Sequence, residues 1–216
     1  MKSVRALYKN SKKINNFIPA LLLAVSGAVS AAPDTVAQNK AVQETSTQET
    51  ATPRNGAAIY LADLPLVDAQ GRTVDLYRDL IQGHSVVIHS FFARCEGSCP
   101  VMMSTLQGLQ KKLGPHLGRE VRIVSITVDP EHDGQAELAA YARRVQAGPG
   151  WYFLGGSQQQ VSNALHRIGQ YTDAPQDHMN LIIVGNDRSG DWRKLHGLAP
   201  AREVVAGILE AIALPD

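Results

Sequence analysis

A single stretch of the chain dictates its local architecture. Val86-Val87-Ile88-His89-Ser90-Phe91-Phe92 is a β-branched and aromatic run of the length expected for a strand buried on both faces. It leads directly into Cys95-Glu96-Gly97-Ser98-Cys99-Pro100. From Pro100 to Leu113, apolar residues recur at Met102, Met103, Leu106, Leu109 and Leu113, a helical period opened by proline and closed by Gly114-Pro115. A central strand therefore runs through a two-cysteine loop into a helix. At least one sulfur is expected to face the free N–H groups at the helix start, an environment that lowers a thiol pKa and makes a nucleophile or a ligand. Three residues separate the cysteines. On a regular helix that spacing puts both side chains on one face, with Cα atoms near the limit of disulfide reach, about 6–7 Å. A loop-to-helix turn can close the gap, and the same placement suits two sulfurs converging on one soft metal ion. An inert stabilising disulfide is the weaker reading, because so short a loop constrains the unfolded chain little.

The rest of the pattern alternates. Leu64–Val67 and Arg72–Leu76 flank a turn at Gly71 and read as a hairpin, followed by a helical turn at Tyr77–Ile81. Val121–Val128 reads as a strand, Gln135–Val145 as a helix, Trp151–Phe153 as a short strand and Gln158–Ile168 as a helix. Leu181–Val184 is the next strand; a turn at Asn186–Gly190 and a last helix at Ala201–Ile212 complete the series. The expected fold class is α/β: a thioredoxin-like central mixed sheet flanked by helices, with an extra N-terminal hairpin.

The N-terminus has a different character. Lys2, Arg5, Lys9, Lys12 and Lys13 precede an apolar stretch from Phe17 to about Val29, which ends in the small residues Ser30 and Ala31. That order predicts a secretory signal peptide over residues 1–31, with an uncleaved N-terminal anchor as the alternative. Either outcome exports the remainder of the chain to a bacterial periplasm that permits disulfides. Residues 32–58, rich in Thr, Gln, Ala and Glu, cannot bury enough apolar surface to fold and read as a flexible tether. Residues 59–216 form the predicted folded domain. The five leader charges exceed the net charge of +1, so the remainder is mildly acidic and nucleic acid is not an expected partner. With only two cysteines, neither a multi-disulfide scaffold nor a four-cysteine zinc module is available.

Seven histidines could add a ligand. His89 sits within the central strand and reads as core. His84, His116, His132, His166 and His196 lie at turns or on amphipathic helices and should face solvent. His178, in Asp177-His178-Met179-Asn180, stands just before Leu181–Val184, which in a thioredoxin-like sheet brings it beside the cysteine loop. Asp129, ahead of Pro130, reads either as a turn former or as a carboxylate behind the metal loop that faces ligands or a client. Met102 and Met103 could offer thioethers, but their helical spacing favours core packing, as does the run Trp151-Tyr152-Phe153.

These residues together resemble a known family. Phe92, Cys95-x-x-x-Cys99-Pro100, Val124–Glu131 with its Val128-Asp129-Pro130-Glu131, Tyr141, Trp151–Gly156 and Asp177-His178 resemble, in order, the Sco/SenC copper proteins. The resemblance implies a thioredoxin-like fold and one copper ion, Cu(I) or Cu(II), held by Cys95, Cys99 and His178. It also implies delivery to the Cu-A site of a cytochrome c oxidase subunit or another copper-requiring client, or a related thiol-disulfide role that redox-prepares that site, with a possible upstream copper donor. The loop departs from the family's Cys-Pro-Asp-x-Cys-Pro, Met179 replaces the usual Ser or Thr after the histidine, and the segment before His178 is short. Independently of the family, two thiolates select Cu(I) and an imidazole suits both copper states. Zinc fits less well, since a structural zinc site closes with four protein ligands.

The chain is expected to be a metallochaperone rather than an enzyme. The alternative is a thiol-disulfide oxidoreductase working through a redox disulfide of Cys95 and Cys99. Against it, such enzymes carry Cys-x-x-Cys and a cis-proline where this chain has Met179-Asn180. A peroxidase of the peroxiredoxin type is weaker still, with Phe92 where its threonine would stand.

Overall fold

A computed structural model describes residues 56–212, so the predicted signal peptide and the tether up to residue 55 lie outside the described residues. Helix α1 (Gly56–Leu61) comes first, with Ala58 and Leu61 buried. Residues 56–58 thus belong to the folded unit rather than to the tether. Strands β1 (Pro65–Asp68) and β2 (Thr73–Asp75) form the expected hairpin. The next turn, Leu76–Ile81, is π-helical, with the Gln82 N–H donating to the Tyr77 carbonyl at 2.8 Å.

Next come β3 (Ser85–Phe91), α2 (Cys99–Leu113), β4 (Val121–Thr127), α3 (Gln135–Arg144), β5 (Trp151–Gly155), α4 (Gln158–Ile168), β6 (Leu181–Asn186), β7 (Asp191–His196) and α5 (Ala201–Ile212). Both β5 and β6 run two residues beyond the pattern-based expectation. Local chemistry sets the helix ends. In α4, Ser157 and Gln160 form a reciprocal capping box, and Gly169 closes the helix in the left-handed conformation. In α2, Pro100 occupies the first turn, and Lys111 and Lys112 lie in the last.

Among the described residues, seven strands form one sheet in the order β2-β1-β5-β4-β3-β6-β7. β3 pairs parallel with β4 and antiparallel with β6, and β4 pairs parallel with β5. This is the mixed, thioredoxin-like sheet that the sequence predicts. At one outer limit stands the three-residue β2. At the other stands β7, whose residues are half-buried or exposed throughout. Every residue of the central β3 is buried, and its alternating side chains feed two cores. Val87 and Phe91 join the core beneath α2, α3 and α5; Val86 and Ile88 join the one beneath α1 and α4.

His89 is fully buried on the α2 side of β3, as its sequence position implies. Its Nδ1–H donates to the Ser90 carbonyl at 3.1 Å, which leaves Nε2 to accept from the Ser125 hydroxyl at 2.6 Å, while the Trp151 indole N–H donates to that same oxygen at 2.9 Å. Burial pushes the His89 pKa down to about 4 from its ordinary 6.5. Between those values the unfolded chain binds a proton that the folded one refuses, so stability is lost as pH falls through this window and is fully present above it. Chemical denaturation followed from pH ~7 to ~4 is expected to show a loss of ~3 kcal/mol from this group. A His89→Gln variant should be less stable at neutral pH and lack that component of the slope.

Candidate metal centre

The cysteine loop leaves the C-terminal end of β3 and is gripped from behind. Cys95 closes a turn on the end of the strand, its N–H donating to the Phe92 carbonyl at 3.2 Å. Asp133, only 2% exposed, accepts the Ala93 N–H at 2.9 Å and the Thr127 hydroxyl at 2.6 Å through one carboxylate oxygen. Burial raises its pKa. The Ala93 carbonyl accepts from Arg144 at 2.7 Å, and the Arg144 guanidinium lies 4.4 Å from the centre of the Tyr141 ring. Asp129 accepts from Arg94 at 3.0 Å and from His132 at 2.7 Å. Burial works to raise the Asp129 pKa, but these two hydrogen bonds outweigh it and leave the carboxylate below its usual value. Asp129 therefore acts on the loop through Arg94, the residue before Cys95.

Both cysteines are free thiols, Cys95 half-buried and Cys99 buried. Cys99 is the first residue of α2. The expected lowering of a thiol pKa at this helix start does not occur there. Burial, reinforced by the neighbouring Cys95, pushes the Cys99 thiol up to about 12, and the hydrogen bond to the Phe92 backbone opposes this only in part. Desolvation of a thiolate outweighs the helix field when the sulfur sits beneath the first turn rather than at its mouth.

His178 arrives from the segment before β6. The short 3₁₀ turn Pro175–Asp177 sets its backbone, and its Nδ1–H donates to the Pro175 carbonyl at 2.9 Å. That bond fixes the tautomer and turns the Nε2 lone pair toward Cys99, whose sulfur lies 3.6 Å away. Phe92 supports the ring edge-on, with centroids 5.4 Å apart. The imidazole is 7% exposed, and burial lowers its pKa, which favours the neutral form that binds a metal. Among the described residues, no three His, Cys, Asp or Glu side chains stand together in a group able to hold a metal ion. The structure thus joins Cys99 and His178 as a pair, with Cys95 on the adjoining loop. Around Gly97 in that loop, a Cβ would meet nothing within 4 Å.

The other candidates fall where expected. His132, His166 and His196 are exposed, and His84 and His116 partly so. Met102, Met103, Trp151 and Phe153 are core. Nothing in the sequence pattern marks Asp133 or Arg144; only their place behind Ala93 reveals them. Cys95 lines a cleft of about 660 Å³ together with Arg94, Glu96, Met103 and Tyr141, which gives the half-buried thiol an open approach.

The family model SCO1/SenC matches residues 52–196. The chain belongs to the SCO1/SenC family. Among curated relatives, it is 34% identical to the SCO1 protein homolog of Bacillus subtilis over 90 residues, 41% of this chain and 45% of that one. It is 32% identical over 130 residues to the human mitochondrial SCO2 homolog, 59% of this chain and 47% of that protein. The chain therefore spans about half the length of the curated relatives it matches. Among solved structures, Arabidopsis thaliana ScoI with copper bound superposes with a TM-score of 0.60 at 19% identity, covering 71% of this chain and 98% of that one. BsSco, in which a disulfide switch was identified and which is a member of the Sco family of cytochrome c oxidase assembly proteins, gives 0.56 at 26% identity over 70% and 92% of the two chains. These likenesses agree with the SCO1/SenC assignment and with the thioredoxin-like sheet.

Proposed function

We propose that this SCO1/SenC protein is an exported, periplasmic metallochaperone. Copper is its cargo, carried between Cys95, Cys99 and His178 to the Cu-A site of cytochrome c oxidase. The observation that carries the reading is the Cys99–His178 pair: a buried sulfur 3.6 Å from an imidazole nitrogen whose tautomer is already fixed by Pro175. Such an arrangement has a soft donor and a borderline donor aimed at one point, and the Cys95 thiol neighbours Cys99. Two sulfurs and one nitrogen fit copper in either state and leave a position free for a client's ligand. The open space around Gly97 and the cleft beside Cys95 leave this loop room to move and to offer the ion to the partner. The copper-bound Arabidopsis relative and the oxidase-assembly role of BsSco support the cargo and the client. For thiol-disulfide exchange, burial makes Cys99 a poor attacking thiol at neutral pH, so such a role would rest on Cys95 as the attacking sulfur.

The test is an anaerobic titration of the reduced protein with Cu(I) against a chromogenic competitor. One equivalent bound tightly is the expected result; weak binding that ignores His178 would return the weight to thiol exchange. Since Cys99 must lose its proton to bind, the apparent affinity should climb about tenfold per pH unit near neutrality from that thiol alone. A flat profile would exclude Cys99 as a ligand.

A further inference from the structure

A second concavity opens on the opposite face of the sheet from α2, and none of the cysteine-loop residues lines it. It has a volume of about 510 Å³ and lies where α1 and the end of α4 stop short of covering β6 and β7. Its accessible apolar surface comes from the exposed Tyr60 and the half-buried Trp192, which lie over the buried Leu61, Ile88 and Ile183. Trp192 lies against Gly185 on the neighbouring strand, where any Cβ would collide with the indole. The missing side chain at Gly185 thus lets the ring lie down on the sheet as one wall of the cleft.

The rim is cationic, and its charges are not equally engaged. Arg193 is paired with Glu210 at 3.3 Å. Arg167 uses one terminal nitrogen on the Tyr60 carbonyl and holds its guanidinium 5.6 Å from the centre of the Tyr60 ring, so its remaining donors are free to turn inward. The Lys194 ammonium reaches across Gly169, 3.3 Å from where a Cβ would stand there, and has no hydrogen bond or ion pair among the described residues. An apolar trough with an uncompensated ammonium and a partly free guanidinium matches a molecule with a hydrocarbon body and one negative end.

We propose that this cleft binds a single-chain amphipathic monoanion, an aliphatic carboxylate whose tail lies along Tyr60 and Trp192 and whose head meets Lys194 and Arg167. A concave trough of this volume suits one chain better than the plane of a bilayer. With Arg193 paired to Glu210 and Arg167 already turned in part to Tyr60, Lys194 is the one wholly unengaged cation on this rim among the described residues, which matches a single negative end. The site is independent of the thiols and of the copper reading.

Calorimetric titration of the purified protein with decanoate below its micelle concentration tests it, read in parallel through Trp192 emission. The expected result is saturable one-to-one binding, about tenfold weaker for the uncharged decanol and about tenfold weaker again in Lys194→Glu, an exposed edge-strand position where the fold tolerates the change. Trp192→Phe should lose the emission change yet keep the heat, since Trp151 is buried in the other core. An unchanged circular dichroism spectrum and denaturation midpoint in Lys194→Glu verify that the variant is folded. Absence of saturable binding, or equal binding of decanol and decanoate, would overturn the proposal. So would binding to phosphatidylglycerol vesicles without binding to free decanoate, which would make the face a membrane contact instead.

Discussion

Cys99→Ala is expected to weaken Cu(I) binding by at least about a thousandfold, equivalent to ~4 kcal/mol, while leaving the fold nearly intact. The sulfur is buried at the first turn of α2, but alanine keeps the helix start and removes only a small apolar group, at ~1 kcal/mol of stability. Cys95→Ala should show a similar loss of affinity with a stability change within ~0.5 kcal/mol, because that side chain is only half-buried on a loop. His178→Ala divides the two oxidation states. Two thiolates still hold Cu(I), so that affinity should fall only ~10–100-fold, whereas Cu(II) binding and its sulfur-to-copper absorption band should disappear. Competitor titrations in both states, with a denaturation curve for each variant, separate the loss of a ligand from the loss of the fold. Retention of tight Cu(I) binding in either cysteine variant would contradict the proposed ligand set.

The second large effect is on stability. Phe91→Ala is expected to cost ~3–5 kcal/mol by chemical denaturation. Phe91 is fully buried at the end of β3 and meets Tyr141 and Phe153 at ring-centroid distances of 4.9 and 5.3 Å, the latter edge-on. Its removal opens a void beneath the residues that lead to Cys95. Copper affinity should also fall, although Phe91 has no donor atom, because Ala93 and Arg94 are held against α3 and the end of β4 through the same corner. Phe91→Leu should restore most of the stability; failure to do so would point to the ring contacts rather than the volume.

The parts of this molecule that are legible in the sequence are those governed by local periodicity. The fully buried β3, the helical spacing of α2 and the span of α4 are written in consecutive residues, and the structure reproduces them within a residue or so. Membership of the SCO1/SenC family is signalled by the order of Phe92, Cys95, Cys99, Asp129 and His178. What the sequence hides depends on depth. A helix start suggests a more acidic thiol, but it does not say that Cys99 lies beneath the first turn, where the cost of a buried charge reverses the sign. Asp133 is invisible in the sequence because its partner, Ala93, contributes only a backbone N–H. Helix α1 is hidden by its alanines and glycine, which look like tether until Leu61 and Ala58 are seen to be buried.

The two outer strands have a consequence for how copies of this protein meet. An open sheet has two unpaired edges, each a template on which another chain can add a strand. Here one edge is the three-residue β2, too short to recruit a partner strand. The other, β7, is six residues long and carries Asp191, Arg193, Lys194 and His196, whose charges and polar groups repel or misalign an incoming copy. Among the described residues the sheet is thereby terminated on both sides, which discourages self-association by strand addition.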